Sequence, residues 1–371
     1  MRRLVPLLTA LATLPLLAQP VRFEEHTIAT GLRGGYQVVV ADLNHDGKPD
    51  LIALASGMPE LVWYENPTWE RHVIAGGLSH MINCAAVPVP GDPVPEIVLA
   101  SEFSNVAKDS PGVVSVLHHN GDPRQPWTIR EIDRLPTSHR LRVAKIGGET
   151  VVVNAPLTAA TAEPPDFRGR TPLVYYRTGE WKRHVISEDN EGLVHGILVT
   201  DDGILTAGFE GIYEFQVGKD GRWHRAQIVA GDPARWPKSG SSDIALGRLA
   251  GRERFLAAIE PWHGNQVVVY RERTSRKREV IDDSLVDGHT ILTADLNGDG
   301  SDEIVAGFRG GDHSVYIYYA EVDRWTRVAL DSGGMAAAAC AAADLDGDRR
   351  TDLVCIGSAT ANLKWYRNLG R

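Results

Sequence analysis

Three acidic segments of nearly identical spelling carry the clearest chemistry in this 371-residue sequence. They are DLNHDGKPD at 42–50, DLNGDGSDE at 295–303 and DLDGDRRTD at 344–352. Each places side-chain oxygens at positions 1, 3, 5 and 9 of a tight turn, and the carbonyl of position 7 can complete an oxygen cage. Such cages bind hard cations, so the spelling predicts three Ca²⁺ loops and not plain solvated turns. The predicted ligands are Asp42, Asn44, Asp46, Asp50, Asp295, Asn297, Asp299, Glu303, Asp344, Asp346, Asp348 and Asp352.

Position 6 of these loops is expected to need a left-handed backbone, which glycine adopts at little cost. Gly47 and Gly300 meet that need, whereas Arg349 occupies the position in the third loop. A left-handed arginine costs about 1 kcal/mol. The third loop therefore carries that cost if its turn has the same shape as the other two.

A second set of residues precedes an apolar run that recurs seven times along the chain. Aligned on that run, the preceding residues are Tyr36, His80, His139, His195, Ser242, His289 and Ala338. A single histidine at a strand start is usually a polar cap, but four in one register, of 13 in the chain, favour converging imidazoles. Neutral imidazoles bind Zn²⁺ or another divalent transition metal. The predicted ligands are His80, His139, His195 and His289.

The elements that must position these residues form a sevenfold repeat. A unit of the form Trp-x-Arg/polar-x-x-Ile recurs as WERHVIA, WTIREID, WKRHVIS, WHRAQIV and WTRVALD, with degenerate copies KREVID and FEEHTIA. Three more short β-like runs separate successive copies, so each unit holds four strands. Four antiparallel strands repeated seven times predict an all-β, seven-bladed β-propeller.

The ends of the chain favour a closed ring over a tandem of β-sandwiches. The last unit, which starts near Met335, has three strands of its own, while the copy FEEHTIA lies alone near the N-terminus. If that N-terminal strand completes the last blade, the ring closes and two sheet edges disappear. The pattern therefore predicts one domain over residues 19–371.

The connections between second and third strands contain side chains typical of a functional site. They include Glu102, Glu260, Trp262, His263 and Arg309. The first strand of a blade runs away from the histidines and the second returns, so these connections open beside the histidines. The acidic loops then lie on the opposite face. Acidic, basic and aromatic side chains around one opening favour a binding or catalytic site.

Composition excludes some partners and indicates a compartment. The formal charge of −9, without a basic stripe interleaved with aromatics, argues against nucleic acid. The start MRRLVPLLTALATLPLLAQP predicts a signal peptide, residues 1–18, cleaved near Ala18, and hence a secreted or periplasmic protein without a membrane span. Cys84, Cys340 and Cys355 lie in apolar runs, and we interpret them as small core residues, not as a disulfide or reactive thiols.

Two family resemblances add to this interpretation. The acidic loops, followed by DLIALAS, DEIVAGF or TDLVCIG, resemble the FG-GAP/VCBS-type repeat of calcium-binding propellers. The phrases GLVHGILV, KSGSSDIALGRL, IEPWHGNQVVVY and DGHTILTADLNGDGSDEIVAGFRGG are similar to the propeller domain of the aldos-2-ulose dehydratase family. Members of that family are sugar lyases that act on keto-sugars such as osones and 1,5-anhydrofructose. The resemblance implies a metal-dependent dehydration site in the propeller.

The implied reaction is a β-elimination beside a carbonyl, which needs a Lewis acid, a base for the α-proton and an acid for the departing oxygen. His263 is expected to act as base or acid, Glu260 to orient it or take the other role, and Arg309 to stabilise the oxyanion. His195 and His289 belong to the expected metal centre. The expected substrate contacts are Trp262, Tyr36 and Glu102.

Two other classes of function stay open at this point. A polysaccharide or glycoside lyase acting on uronates or 3-keto-glycosides would use the same chemistry on a larger substrate. A non-catalytic calcium-binding propeller would bind carbohydrate or protein without a transition metal. The metal content of the purified protein separates the last class from the first two.

Overall fold

Short strands separated by tight turns pair with their sequence neighbours throughout residues 20–321 and 324–371, which this computed structural model describes. They form seven four-stranded antiparallel sheets. This is the all-β, seven-bladed propeller predicted from the repeat. The predicted signal peptide lies outside the described residues. None of the described residues forms a helix with the length and hydropathy of a membrane crossing.

The strands, numbered in chain order, fall into four sets according to their place in the blades. The innermost strands are β2 (Gly35–Ala41), β6 (Asn83–Val89), β10 (Ser138–Ile146), β14 (Val194–Val199), β18 (Asp243–Arg248), β22 (Gly288–Ala294) and β26 (Ala337–Ala343). The second strands are β3 (Asp50–Ala55), β7 (Asp92–Ser101), β11 (Glu149–Pro156), β15 (Ile204–Gly208), β19 (Arg254–Glu260), β23 (Glu303–Phe308) and β27 (Asp352–Gly357).

The outer half of each blade completes the set. The third strands are β4 (Leu61–Glu65), β8 (Val113–His118), β12 (Arg170–Arg177), β16 (Gly211–Val217), β20 (Gln266–Arg271), β24 (Ser314–Ala320) and β28 (Asn362–Asn368). The fourth strands are β5 (Glu70–Ala75), β9 (Thr128–Arg134), β13 (Arg183–Glu191), β17 (Trp223–Val229), β21 (Arg278–Asp282), β25 (Trp325–Ser332) and, for the last blade, β1 (Phe23–Thr30). Three 3₁₀ turns lie at Ala107–Asp109, Ala250–Arg252 and Glu272–Thr274.

The N-terminal strand closes the ring, as the sequence predicted. Strand β1 pairs antiparallel with β28, from Phe23 opposite Asn368 to Thr30 opposite Asn362. The last sheet thus has the order β1-β28-β27-β26. One strand from the beginning of the described chain and three from its end therefore share a blade.

The cores lie between neighbouring blades, where the repeated tryptophans pack. Trp127, at the start of a fourth strand, lies in the cluster that contains Trp63 of the preceding blade. Its backbone N–H also donates to the carbonyl of Ile74 in that blade, at 2.7 Å. The tryptophan repeat is therefore a packing device between blades.

The acidic loops connect β2 to β3, β22 to β23 and β26 to β27, and their position 6 is left-handed in each. The φ angles there are 83° at Gly47, 84° at Gly300 and 68° at Arg349. The sequence therefore predicted correctly that arginine stands where the turn favours glycine. Position 4 is left-handed as well, with φ of 58° at His45, 73° at Gly298 and 78° at Gly347.

The last acidic residue of each loop anchors the loop to its blade. Asp50 is fully buried, and its two oxygens accept from the backbone N–H groups of Leu43 and Asn66, both at 2.9 Å. Asp352 accepts in the same way from Leu345 and Asn368. Burial raises the pKa of Asp50 to about 6. Position 9 is thus a structural anchor in addition to a predicted cation ligand.

An aspartate near the end of a fourth strand repeatedly ties one blade to the next. In each case the carboxylate accepts from a tyrosine hydroxyl of the following blade and pairs with a cationic side chain there. The three sets are Asp133 with Tyr176 and Arg183, Asp282 with Tyr318 and Arg327, and Asp331 with Tyr366 and Lys364. In the third set, Lys364 also lies 2.8 Å from Glu25 of the closing strand β1.

The interpretation of the cysteines was wrong for two of the three. Cys340 and Cys355 form a disulfide between β26 and β27, where they lie directly opposite each other. Two apolar runs that pair as neighbouring strands bring such residues together, and this pairing is not visible from the spacing alone. Cys84 is a buried free thiol, as expected.

Replacing Arg349 by glycine is expected to stabilise the protein. A left-handed non-glycine residue costs about 1–2 kcal/mol, and the greater freedom of glycine in the unfolded chain offsets roughly 0.5–1 kcal/mol of that. The Arg349 side chain is exposed. We therefore expect Arg349→Gly to raise the free energy of unfolding by about 0.5–1 kcal/mol. Urea unfolding with a chelator present measures it, and Gly47→Arg should have the opposite effect. Unchanged or lower stability in Arg349→Gly would contradict the strained turn.

Asp331→Asn is expected to destabilise the ring closure. Asp331 is buried, and although burial alone raises its pKa, Lys364 and then Tyr366 lower it by more, so its net pKa is depressed. Breaking a buried ion pair costs about 3 kcal/mol. A depressed folded-state pKa adds stability above the unfolded pKa, about 4, and that stability is lost as the pH falls through the folded value.

Unfolding measured between pH 7 and pH 3 tests this expectation. The gap between the wild type and Asp331→Asn should be full at neutral pH and should shrink in acid. Asp283→Asn, at an exposed position, serves as the control and should change stability little. A gap that widens on acidification is the opposite outcome and would exclude this role for the carboxylate.

Candidate active site

In five of the seven blades a β-bulge directs one side chain toward one mouth of the channel. In five innermost strands the register with the second strand slips by one residue, and the unpaired residues are Tyr36, His139, His195, His289 and Ala338. Bulges commonly redirect a side chain beside a functional site. Ser242 and Ile82 occupy the same position in the remaining two blades. Their N–H groups donate to the carbonyls of Ile259 and Ala100, which pair in register with the following residues, Asp243 and Asn83.

His80 is not in this register, which corrects the alignment made from the sequence. Ile82 holds the equivalent position, and His80 precedes it with a φ of 45° in an exposed turn. The apolar run starts at Met81, two residues before β6 begins, and this shifted the alignment. His80 still lies on the wall of the same cavity.

Three of the predicted imidazoles meet near the axis, together with a fourth from a connecting loop. The ring centroids of His139 and His195 are 5.0 Å apart, and those of His195 and His289 are 5.2 Å apart. His263, in the turn between β19 and β20, lies 4.9 Å from His195 and 5.2 Å from His289. The convergence predicted from rotational symmetry therefore holds for these residues.

Three of these histidines bring ligand atoms close enough for one metal ion. Nitrogen atoms of His195, His263 and His289 lie within 4.8 Å of one another. The Nε2 atoms of His195 and His263 are 3.3 Å apart, and the buried Nε2 of His289 has no hydrogen-bond partner among the described residues. Facing lone pairs and an orphaned buried nitrogen fit a cation between the three rings.

Contacts at the other ring nitrogens support the same arrangement. Nδ1 of His289 lies 2.6 Å from the carbonyl oxygen of Ala338, and Nδ1 of His195 lies 3.3 Å from that of Ser242. Because a carbonyl only accepts, these contacts favour a proton on Nδ1 and a lone pair on Nε2. In His195 an NH2 group of Arg140 lies 3.4 Å from that Nε2. Metal-binding histidines usually have such a partner behind them.

Asp287 is the acceptor behind the ring of His263. Its Oδ1 lies 3.2 Å from Nδ1 of His263. The same carboxylate makes two 3.0 Å hydrogen bonds with Arg309, whose NH2 group is also 3.3 Å from that Nδ1. Sequence reasoning missed Asp287, although it stands only two residues before His289 in DGH.

The electrostatics keep these imidazoles neutral. Burial, followed by the positive charge of nearby arginines, holds the pKa values of His139 and His195 well below the ordinary range. The same causes act on His289. Burial and Arg309 lower the pKa of His263 to about 3. Neutral imidazole is the form that binds metals.

A second contact in the ring has the features of an acid–base pair. The hydroxyl of Tyr36 lies 2.8 Å from Nε2 of His139. Burial raises the pKa of Tyr36, so the hydroxyl keeps its proton at neutral pH. His139 contacts Tyr36 and is not part of the three-nitrogen cluster, which differs from the role predicted for it.

One open cavity of ≈ 680 Å³ lies directly on these residues. Its lining includes Tyr36, His139, His195, His263 and Arg309. Trp262, predicted to contact a sugar, lies on the same wall. The site therefore combines a ligand-sized space with polar groups at its floor.

The long connection after Asn154 forms part of the wall around this cavity. Its Leu157 lines the opening, and Phe167 packs at 5.6 Å from Trp262. Leu157 and Phe167 belong to an apolar cluster with Phe209. The connection is thus packed against the site residues in this structure.

Two predicted site residues lie elsewhere. Glu260 is fully buried, and its carboxylate accepts from Ser241, Tyr270 and Arg278 at 2.7–2.8 Å. These contacts point it into the blade, and Asp287 takes the place beside His263. Glu102 is close to Arg134, at 4.0 Å, and is not on the cavity wall.

Comparisons with known proteins agree with this architecture. Residues 111–273 match the family model described as aldos-2-ulose dehydratase, beta-propeller domain. Residues 295–355 match an FG-GAP-like repeat, and residues 34–58 match an FG-GAP repeat. Aldos-2-ulose dehydratase from Phanerodontia chrysosporium is 30% identical over 237 residues. This chain is related to the propeller of aldos-2-ulose dehydratase.

The resemblance inferred from the sequence is thereby confirmed. The alignment covers 54% of this chain and 26% of the Phanerodontia chrysosporium protein, so the chain spans about a quarter of that relative. The segment 111–273 contains His139, His195 and His263, and the FG-GAP segments contain the three acidic loops. A solved luciferin-regenerating enzyme is 10% identical, with a TM-score of 0.49 over 94% of this chain and 96% of that one. A likeness at that score adds nothing to the assignment.

Proposed function

We propose that this protein is a metal-dependent carbohydrate lyase that performs β-elimination on a keto-sugar or keto-glycoside. The observation that carries the proposal is the convergence of nitrogens from His195, His263 and His289, within 4.8 Å of one another, beside an open cavity that His195 and His263 line. The relation to a protein named aldos-2-ulose dehydratase supports this reaction class.

The three histidines are the proposed ligands of Zn²⁺ or another divalent transition metal. His195 and His289 keep the role predicted for them, while His263 joins them in place of His80 and His139. A bound ion supplies Lewis acidity toward the carbonyl beside the bond that breaks. Asp287 holds the ring of His263 in place from behind.

Tyr36 and His139 are the proposed acid–base pair. In a β-elimination the α-proton leaves, its C–H electrons form a C=C bond, and the β-oxygen departs with the C–O electrons and gains a proton. A neutral imidazole accepts a proton and a protonated phenol donates one, so the 2.8 Å contact lets the pair exchange it. Arg309, fixed by Asp287, faces the same cavity and stabilises negative charge on the substrate.

Variants of the two groups should separate metal binding from proton transfer. His289→Gln is expected to lose both the bound transition metal and turnover. Tyr36→Phe is expected to keep the metal and to lose about 10²–10⁴-fold in kcat, as for removal of a general acid–base group. Enone absorbance on a panel of keto-sugars and 3-keto-glycosides measures turnover, and elemental analysis measures the metal.

His224→Ala is the matched control, because His224 is exposed on an outer strand and, among the described residues, its ring nitrogens pair only with Asp220. It should retain both metal and activity. If the wild type binds calcium but no transition metal and yields no enone, the rival interpretation as a binding propeller is favoured. Full turnover in both His289→Gln and Tyr36→Phe would overturn the proposed site.

We also propose that Ca²⁺ occupies the acidic loops as a structural ion, with the first loop binding most tightly. In the third loop Arg367 lies 2.6 Å from Asp346, and Arg350 pairs with Asp348. In the second loop Arg371 lies 2.6 Å from Asn297. The acidic side chains of the first loop make no such pair among the described residues. A cation must therefore displace arginine from the later loops but not from the first.

Calcium titrations of single-loop variants test this order. At about 100 times its Kd, one bound ion stabilises the fold by about 2.7 kcal/mol. Asp46→Ala in the first loop should remove more of the Ca²⁺-dependent rise in Tm than Asp348→Ala, the equivalent change in the third. Equal losses, or a larger loss for Asp348→Ala, would reverse the proposed order. A Tm that does not respond to Ca²⁺ or to a chelator would exclude structural calcium.

The proposed compartment is extracellular or periplasmic. The disulfide between Cys340 and Cys355 supports it, because disulfides persist in oxidising compartments. Calcium loops also fit that environment, where such modules bind Ca²⁺ weakly.

A further inference from the structure

The central channel contains a second polar space, separate from the cavity above the histidines. It has a volume of ≈ 560 Å³ and is lined by residues of the innermost strands. These strands start at the ring of Tyr36, His139, His195 and His289 and run toward the acidic loops. The space therefore lies below the ring, on the side of the predicted calcium sites.

Two guanidinium groups line this space, and among the described residues neither is hydrogen-bonded to a carboxylate. Arg140 is only 4% exposed and donates from Nε to the carbonyl of His195 at 3.0 Å. Arg142 donates to the carbonyl of Leu141 at 2.9 Å and to Oδ1 of Asn83 at 3.3 Å. Neither forms an ion pair among the described residues. Buried charges in proteins are almost always paired, and here buried Arg140 and half-buried Arg142 share the charge of one nearby carboxylate, Asp243, so the pairing is incomplete.

An amide of the neighbouring blade also lacks a partner. Asn83 is fully buried and lines the same space. Its Oδ1 accepts from Leu141 and Arg142, while its Nδ2 has no hydrogen-bond partner among the described residues. An unpaired buried donor costs free energy, so an acceptor is expected there.

The charges that face the channel leave it positive. Asp243 lines the same space, and one of its oxygens accepts from the backbone N–H of Ile244 at 3.1 Å. Two guanidinium groups and one carboxylate leave an excess of one positive charge. Two guanidiniums and a free amide N–H together suit an acceptor with several negative oxygens.

We propose that the channel binds a small oxyanion, such as phosphate or sulfate, between Arg140, Arg142 and the Nδ2 group of Asn83. Tetrahedral oxyanions offer enough oxygens for all three donors at once, and charge-assisted bonds to arginine are the strong kind. The anion lies below the ring and does not compete with a ligand in the upper cavity. The inference therefore does not depend on the proposed lyase activity.

Calorimetric titration of the purified protein at constant ionic strength tests the site, with inorganic phosphate, sulfate and acetate as probes. We expect saturable binding of phosphate or sulfate in preference to acetate. Arg142→Gln should weaken binding at least about tenfold, because one charge-assisted donor group is lost. Arg142→Lys keeps the charge without the planar fork, so its affinity should lie between those of the wild type and Arg142→Gln. Arg130→Gln, at an exposed position of β9, is the control and should bind like the wild type.

A crystal soaked in selenate gives a second, independent measurement. An anomalous peak between Arg140 and Arg142 in the wild type is the expected result, and it also guards against a folding defect in the variants. Arg142→Gln that binds phosphate as tightly as the wild type would overturn the proposal. A channel without anomalous density at saturating selenate would do the same.

Discussion

Closure of the ring is the constraint on which the rest of the structure depends. Because β1 completes the last blade, seven sheets are held around one axis and equivalent residues of successive blades lie at equal depth. The bulge near the start of the innermost strands then turns a repeated position into a cluster of side chains. Without closure, His139, His195 and His289, which are far apart in the chain, have no reason to meet.

A charged contact holds the closing strand in addition to its backbone pairing with β28. Apolar clusters hold neighbouring blades together along the ring, and each blade contributes to the core of the next. At the seam, Lys364 connects Asp331 of the sixth blade with Glu25 of the closing strand. A hydrophobic contact there tolerates sliding, whereas a hydrogen-bonded ion pair specifies one register. The seam thus has the kind of contact that fixes the position of β1.

Much of this could be predicted from the sequence, because repeats report rotational symmetry directly. The blade count, the closing strand and the left-handed position of Arg349 followed from aligned copies. The errors have equally physical causes. His80 was assigned to the ring because the apolar run begins at Met81, two residues before β6, and Ile82 holds the position instead. The role expected of Glu260 belongs to Asp287 because side-chain direction inside a tight turn depends on tertiary contacts. The cysteine pair depends on strand register, which spacing does not report.

The side chains around the histidine ring carry more positive than negative charge, and this excess bears on both proposed ions. Around the ring, Arg140, Arg142 and Arg309 outnumber the carboxylates Asp243 and Asp287. The proposed divalent ion on the three histidines would add further positive charge to this region, where an uncompensated charge is costly. An oxyanion against Arg140 and Arg142 offsets part of that charge from below, while the upper cavity stays open to substrate. On these two proposals, the surplus of arginine beneath the ring is a counterpart of the proposed metal centre.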